Sequence, residues 1–235
     1  MKIFNKKSAF TLAEVMVTLS LIGAIAVLTL STVGASIQQR ARLAQFRTAY
    51  SKMEQAIRSI ILDEEKIHNC YLCPTDDYKT LHALRMTGCS PKNDQCEDFT
   101  KLFLANLGAV HYCENNPIGE GCLPANYPKA PGDGCFQSFE NGKAYVLDNS
   151  MILFTESDLT LFALDVNGRK GPNKWGQDIF TFSLYATESK KVNNKDIVLN
   201  MGILPPTECQ PVGSSAGRKT EQMMKDAVNY EEPQE

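Results

Sequence analysis

Residues 15–37 form an apolar run without a single charged side chain, and this run constrains the fold more than any other feature of the sequence. At a rise of ~1.5 Å per residue, a helix over these residues is long enough to cross a hydrocarbon core of ~30 Å. Glu14 lies immediately before the run, where a charge is costly unless it has a partner. The sequence therefore predicts one membrane-spanning helix near the N-terminus, with a single acid at its start.

The residues around Glu14 read K-K-S-A-F-T-L-A-E-V-M-V-T-L. This run resembles the N-terminal processing and methylation signal of type IV pilins and type II secretion pseudopilins. The resemblance implies that a prepilin peptidase cuts between Ala9 and Phe10 and methylates the new Phe10 amine. It also implies that Phe10 and Glu14 are used in filament assembly. Ala9 occupies the position at which that family usually carries glycine.

The function implied by the resemblance is that of a structural subunit of a type IV pilus or a type II secretion pseudopilus, and the sequence does not choose between the two. The cysteine-rich insertion described below favours a minor subunit. The implied partners are prepilin peptidase, other pilin or pseudopilin subunits in a helical filament, and the inner membrane. The N-terminus would be cytoplasmic and the C-terminal domain periplasmic or extracellular. The alternative is a membrane-anchored periplasmic binding protein for calcium or for a partner protein.

Residues 1–9 are predicted to be a leader peptide outside the fold, and the alternative is a conventional secretory signal. Val33, Gly34 and Ala35 form a small-residue site of the kind at which such a signal is cut. The long apolar stretch, the charge of Glu14 and a helical pattern that continues beyond Ala35 all favour the short leader.

The helical pattern continues past Ile37 without a helix breaker, so one helix is predicted over residues 10–62. Residues 10–37 form its transmembrane half and residues 38–62 an amphipathic half, in which apolar residues recur at steps of three and four. This narrow seam consists of Leu43, Phe46, Tyr50, Met53, Ile57 and Ile60. The seam is expected to pack on the chain's own globular domain. The alternative, a coiled coil, requires more heptads than the sequence contains.

All eight cysteines lie outside this helix, between Cys70 and Cys209. An even number confined to the globular part indicates disulfides formed in an oxidising compartment. The cysteines are Cys70, Cys73, Cys89, Cys96, Cys113, Cys122, Cys135 and Cys209. Their pairing stays open, although local bonds such as Cys89 with Cys96 are expected. The spacing of Cys70 and Cys73, with His68 nearby, leaves a zinc or redox site as an alternative.

Beyond the helix, the sequence predicts an α+β fold in which the long helix packs on an antiparallel sheet, as the resemblance to pilins also implies. Residues 63–142 are predicted to be a cysteine-rich irregular region, with helices over residues 79–86 and 97–107 and a loop over residues 115–134. Residues 143–204 are predicted to form the sheet, with strands over residues 143–147, 151–155, 159–166, 179–185 and 197–201. Residues 205–235 are predicted to be a C-terminal tail with a short helix over residues 220–230.

The segment between the third and fourth predicted strands begins with D-x-N, as calcium-binding loops do. It departs from the EF-hand pattern because Gly176 stands where the final acid is required. A looser calcium site through Asp165, Asn167 and Asp178 is one interpretation. The preferred interpretation is a plain turn in which Asn and Gly adopt left-handed conformations, so that no cofactor is predicted. The segment also looks like a recurring element of pilin-like proteins.

Charge and motifs argue against other classes of protein. The net charge of -3 at pH 7 argues against a nucleic-acid binder. The sequence offers no Ser-His-Asp arrangement, no phosphate-binding loop and no pair of groups suited to acid–base catalysis. A non-enzymatic role is therefore predicted.

Overall fold

The structure is a computed structural model that describes residues 10–62, 95–129, 142–155, 159, 161–192, 195–205 and 218–229. These residues form an α+β fold with an apolar N-terminal helix and an antiparallel sheet. The helices are α1 (Leu12–Ile61), α2 (Gln95–Asn106) and α3 (Thr220–Val228), with a 3-10 turn at Gly168–Lys170. The strands are β1 (Ala109–Cys113), β2 (Lys143–Leu147), β3 (Ile152–Thr155), β4 (Phe162–Asp165), β5 (Ile179–Val192) and β6 (Lys195–Leu204). The chain divides into two compact units, Met1–Ala41 and Arg42–Glu235.

The first unit contains the apolar part of α1. The stretch Leu12–Thr29 has a mean hydropathy of 2.1, and none of it is buried against other parts of the chain. Its few hydroxyl groups donate to carbonyl oxygens of the same helix, as Ser20 does to Met16 at 2.8 Å, so that no described hydroxyl here depends on water. By length and composition this helix is able to cross a membrane. The predicted helix over residues 10–62 agrees with α1 to within two residues at each end.

In the second unit, the later part of α1 buries one stripe of side chains in the main hydrophobic core. Phe46, Met53 and Ile60 of the predicted seam are almost wholly buried. Phe46 makes an edge-on ring contact with Phe180 of β5, at 4.9 Å between ring centroids. The interpretation that the seam packs on the chain's own globular domain is therefore confirmed.

Helix α2 packs into the same core. It was predicted over residues 97–107 and begins two residues earlier and ends one residue earlier. Phe99 and Phe103 of α2, and Leu107 directly after it, are buried. The predicted helix over residues 79–86 lies outside the described residues.

The sheet is an antiparallel meander in which each strand pairs with its neighbour in the sequence, from β1 to β6. All five predicted strands are present. The prediction missed β1, which lies within the region that was expected to be irregular. The reason is that β1 is an edge strand with a bulge, so its side chains do not alternate between buried and exposed. Val110, at the bulge, is 68% exposed.

Strand β5 is longer than predicted and changes partner along its length. Ile179–Phe182 pair with β4, whereas the residues from Ser183 onward pair with β6. The prediction ended this strand at Tyr185 because the following residues are polar and show no apolar alternation. The pairing with β6 continues through them as far as Val192, which lies opposite Lys195.

The two faces of the sheet are covered differently. One face packs on α1, α2 and α3, and this core contains most of the buried aromatic side chains. The other face, at β2, β3 and β4, is covered by Leu123, Tyr127 and Trp175. The loop that carries Tyr127 and the loop before β5 that carries Trp175 therefore lie on the same face of the sheet.

Helix α3 belongs to the core, although its residues were predicted to be part of a C-terminal tail. Met223, Met224 and Ala227 are buried against the other helices and the sheet. The Arg47 side chain donates to the Ala227 carbonyl oxygen at the end of α3, where a cation is favoured by the helix dipole. The predicted helix over residues 220–230 agrees with α3, which ends at Val228.

Candidate functional sites at the N-terminus and in the loop before β5

The N-terminal motif folds into a helix cap. Thr11 precedes α1, and its main-chain N–H and its hydroxyl both donate to Glu14 Oε2 at 2.8 Å. The Glu14 N–H points back to the Thr11 hydroxyl oxygen at 3.3 Å. This reciprocal arrangement is a capping box, which satisfies N–H groups that the first turn of a helix leaves without partners.

The capping role of Glu14 was not predicted, although the T-x-x-E spacing is the known signal for it. Phe10 lies immediately before the cap and is 86% exposed. Ala9 lies outside the described residues. Phe10 and Glu14 lie four residues apart, which is about one helical turn along the chain.

The second candidate site is the loop between β4 and β5, where Asp165 is fully buried. Its Oδ1 atom accepts the N–H groups of Asn167 at 3.2 Å and Gly168 at 2.8 Å. Its Oδ2 atom accepts the Tyr127 hydroxyl at 2.8 Å, which ties the loop to a segment 38 residues earlier in the chain. Burial raises the pKa of Asp165 to about 7. The same burial, with Asp165 beside it, raises the pKa of Tyr127 well above its usual value and keeps the phenol as a donor.

Asp178, at the other end of the loop, is also fully buried. Its Oδ1 atom accepts the Lys174 N–H at 2.5 Å. Its Oδ2 atom accepts the Asn173 N–H at 2.8 Å and the side-chain amide of Asn167 at 3.1 Å. The other N–H of the Asn167 amide donates to the Gly171 carbonyl oxygen at 2.9 Å.

The calcium interpretation concerns these same side chains and stays a prediction. Calcium takes six to eight oxygen ligands. Asp165 Oδ1 and Asp178 Oδ2 each accept two N–H donors, whereas Asp165 Oδ2 and Asp178 Oδ1 each accept one donor and have a second acceptor direction. Asn167 Oδ1 and Asn173 Oδ1 are buried acceptors without a partner among the described residues. The loop is a turn in which Gly168, Gly171 and Asn173 have the left-handed conformations that the preferred interpretation expected.

Two of the cysteines form a disulfide. Cys113, at the end of β1, is bonded to Cys122, and both are buried. This bond ties the start of the predicted loop over residues 115–134. His111 Nε2 lies 3.9 Å from Cys113 Sγ, and these three residues are the only metal-ligand grouping within the described parts of the chain. Since both sulfurs are in the disulfide, the grouping offers a metal only the imidazole.

The other predicted bonds and sites are not described by the structure. Residues that lie outside its ranges are Cys70, Cys73, Cys89, Cys135, Cys209 and His68, and the side chain of Cys96 is likewise not described. The bond between Cys89 and Cys96 therefore stays a prediction, and the zinc or redox site at Cys70 and Cys73 stays the alternative to disulfides.

No family model, no curated protein and no solved structure matches this chain.

Proposed function

We propose that this chain is a structural subunit, of the minor type, of a pilin-like filament, either a type IV pilus or a type II secretion pseudopilus. The observation that carries the proposal is the composition of α1. Its first part is apolar and exposed on all sides, and its later part contributes the buried seam of a folded α+β domain. A subunit that is stored in a membrane and then packed helix against helix in a filament requires both properties.

The proposed assembly begins with cleavage between Ala9 and Phe10 by a prepilin peptidase, followed by methylation of the Phe10 amine. A singly methylated amine remains a base and carries a positive charge. In a filament from which water is excluded, a buried carboxylate needs a cationic partner. The Glu14 carboxylate of one subunit and the Phe10 amine of its neighbour supply such a pair and fix the axial register.

The capping box supports this mechanism because it holds Glu14 in a defined position. Both hydrogen bonds from Thr11 go to Oε2, and no described group donates to Oε1. A carboxylate oxygen has two acceptor directions. Glu14 therefore has acceptor capacity for a neighbour's amine without giving up its cap.

The proposed location is the inner membrane, which the protein crosses once. Its N-terminus would be cytoplasmic and its C-terminal domain periplasmic or extracellular. The disulfide between Cys113 and Cys122 supports an oxidising compartment for the domain. The proposed partners are prepilin peptidase and other filament subunits, and the proposed role is structural rather than enzymatic.

The test is to purify the full-length protein from its native membrane and from sheared surface filaments, and to determine its N-terminus by mass spectrometry. The expected result is an N-terminal methylated Phe10 in both fractions, with the protein present in the filaments. An Ala9→Glu variant, in which a charge occupies the cleavage position, should keep its leader and stay in the membrane. An intact leader on the wild-type protein in every fraction would overturn the proposal and favour the membrane-anchored binding protein.

A further inference from the structure

Asn167 and Gly168 form a dipeptide with a characteristic chemical weakness. When glycine follows asparagine, its unhindered main-chain nitrogen attacks the side-chain carbonyl carbon of the asparagine. A bond forms between the Gly nitrogen and the Asn Cγ atom, and the bond from Cγ to the carboxamide nitrogen breaks. That nitrogen leaves as ammonia, with a proton that replaces the one lost by the Gly N–H, and a succinimide results. Water then opens the ring to aspartate or isoaspartate. The chain contains two such dipeptides, Asn141–Gly142 and Asn167–Gly168.

The folded loop opposes this reaction at both reacting groups. The attacking nitrogen, that of Gly168, donates its N–H to Asp165 Oδ1 at 2.8 Å, so this N–H is not available for removal by water. The leaving group, the Asn167 carboxamide nitrogen, donates to Asp178 Oδ2 at 3.1 Å and to the Gly171 carbonyl at 2.9 Å. Ring closure would break all three bonds, and two of them go to buried carboxylates.

The reaction product would not fit the same site. Deamidation replaces the Asn167 amide group, which donates two hydrogen bonds, with a carboxylate that only accepts. The new charge would face Asp178 Oδ2 and the Gly171 carbonyl oxygen, in a loop that already buries two carboxylates. Like charges in a buried site repel, and a buried acceptor without a donor is costly.

We propose that Asn167–Gly168 is a latent modification site, which the folded loop keeps unreactive and which deamidates when the loop opens. The product cannot restore the loop's hydrogen bonds. Deamidation at Asn167 is therefore an irreversible modification that identifies chains in which this loop has been open. This inference does not depend on the proposed filament function.

The direct test compares the two dipeptides in the purified full-length chain, with its disulfides intact. The protein is held at mildly alkaline pH in detergent, with and without urea, and the deamidated fraction at each asparagine is measured by peptide mapping. In urea, Asn167 and Asn141 are expected to react at similar rates. Without urea, Asn167 is expected to react at least about tenfold more slowly than in urea, since loop opening limits the rate. Equal rates at Asn167 with and without urea would overturn the proposal.

Two variants separate protection by Asp165 from general stability. Asp165→Ala removes the acceptor of the Gly168 N–H, whereas Tyr127→Phe removes a bond to the same carboxylate but leaves that acceptor in place. At equal folded fraction by circular dichroism, D165A should deamidate at Asn167 several-fold faster than Y127F, and equal rates would refute the role of Asp165. If D165A does not fold, graded urea replaces it: the wild-type rate at Asn167 should follow the unfolded fraction, and a rate independent of that fraction would count against the proposal.

The consequence for refolding is tested with Asn167→Asp, which encodes one of the two products. Asn149→Asp adds the same charge on an exposed turn and retains the oxygen that accepts the Met151 N–H. After dilution from urea, N149D should recover like the wild type and N167D should recover a clearly smaller folded fraction. Equal recovery of the two variants would show that deamidation at Asn167 does not impair refolding.

Discussion

Gly168 lies directly against the carbonyl oxygen of Ser150, so closely that a Cβ atom on Gly168 would stand 1.9 Å from it. The φ angle of Gly168 is +62°, a left-handed conformation that costs other residues energy. The turn between β2 and β3 and the 3-10 turn after β4 are therefore in contact through a residue that has no side chain.

This contact predicts that Gly168→Ala is strongly destabilising, by more than ~3 kcal/mol, because a clash with main-chain atoms adds to the cost of the left-handed conformation. The control is Gly121→Ala, where φ is +84° and no atom lies within 4 Å of the added Cβ. This variant should lose only ~1–2 kcal/mol. Urea denaturation of both measures the difference, and similar losses would mean that the Ser150 contact relaxes freely.

Substitutions at Glu14 separate the effect of its negative charge from its part in the helix cap with Thr11. Gln is accepted at this position of a capping box, so Glu14→Gln keeps the start of the helix and removes the charge. Both Glu14→Gln and Glu14→Ala should leave a folded, membrane-inserted protein, because Glu14 is exposed and distant in sequence from the domain's core. Both should be incorporated poorly into filaments if the charge pairs with a neighbour's amine.

The measurement for Glu14 is the ratio of protein in sheared filaments to protein in membranes, with each variant expressed beside the wild type. Thr11→Ala is the matched control, since it removes the threonine hydroxyl from the cap and keeps the charge. Equal incorporation of all four proteins would exclude Glu14 from assembly. A defect in Thr11→Ala equal to that of Glu14→Gln would assign the effect to the helix start.

The raised pKa of Asp165 predicts a specific pH dependence of stability. The folded state holds this proton more tightly than the unfolded state, whose pKa is near 3.8. The resulting stabilisation is fully present below pH 3.8 and is lost as the pH rises through about 7. Its upper bound is ~4 kcal/mol. Asp165→Asn, which cannot titrate, should lack this slope, and thermal melts of both proteins between these pH values provide the measurement. If stability depended on pH in the same way in both proteins, the raised pKa of Asp165 would be contradicted.

The disulfide between Cys113 and Cys122 should contribute ~2–4 kcal/mol to the free energy of unfolding, because it restricts the unfolded chain. The double variant Cys113→Ser/Cys122→Ser should lose this amount in urea denaturation. His111→Ala is the control, since His111 lies beside the disulfide and is exposed. It should change stability by no more than ~0.5 kcal/mol. A large loss in this control would show that the imidazole has a structural role of its own.

Removal of calcium should leave the stability of the loop unchanged, because its carboxylates accept protein donors. Thermal unfolding with and without a calcium chelator provides the test. A ligand at 100 times its dissociation constant would add ~2.7 kcal/mol. A lower melting temperature in chelator, absent from Asp178→Ala, would support the calcium interpretation over the plain turn.

The elements that could be predicted from the sequence are those with a strong local pattern. The seam from Phe46 to Ile60 repeats at helical spacing, and the sequence around Asn149 has the chemistry of a turn between two strands. Strand β1 has no such pattern, because a bulge and an exposed edge remove the alternation. The polar second half of β5 is a strand only because β6 pairs with it, and the periodicity of one segment carries no information about its partner.

The candidate sites differ in the same way. The cap formed by Thr11 and Glu14 is local and was visible as a four-residue spacing, although it was not recognised. The contact between Tyr127 and Asp165 joins residues far apart in the chain, and neither residue carries a local signal for it. The acids of the loop were identified from the sequence only as candidates for a calcium site, and their role as acceptors of main-chain N–H groups became visible only in three dimensions.

The change of partner in β5 has a mechanical consequence. A pulling force that enters the sheet through β4 and leaves through β6 must pass along β5, from the residues before Phe182 to those after Ser183. When such a force acts parallel to the strands, it loads the hydrogen bonds of each pairing in shear. Under shear, several bonds share the load and must fail together, whereas peeling from one end breaks them singly. In this direction, β5 therefore transmits the load from its pairing with β4 to its pairing with β6, and both pairings resist it in shear.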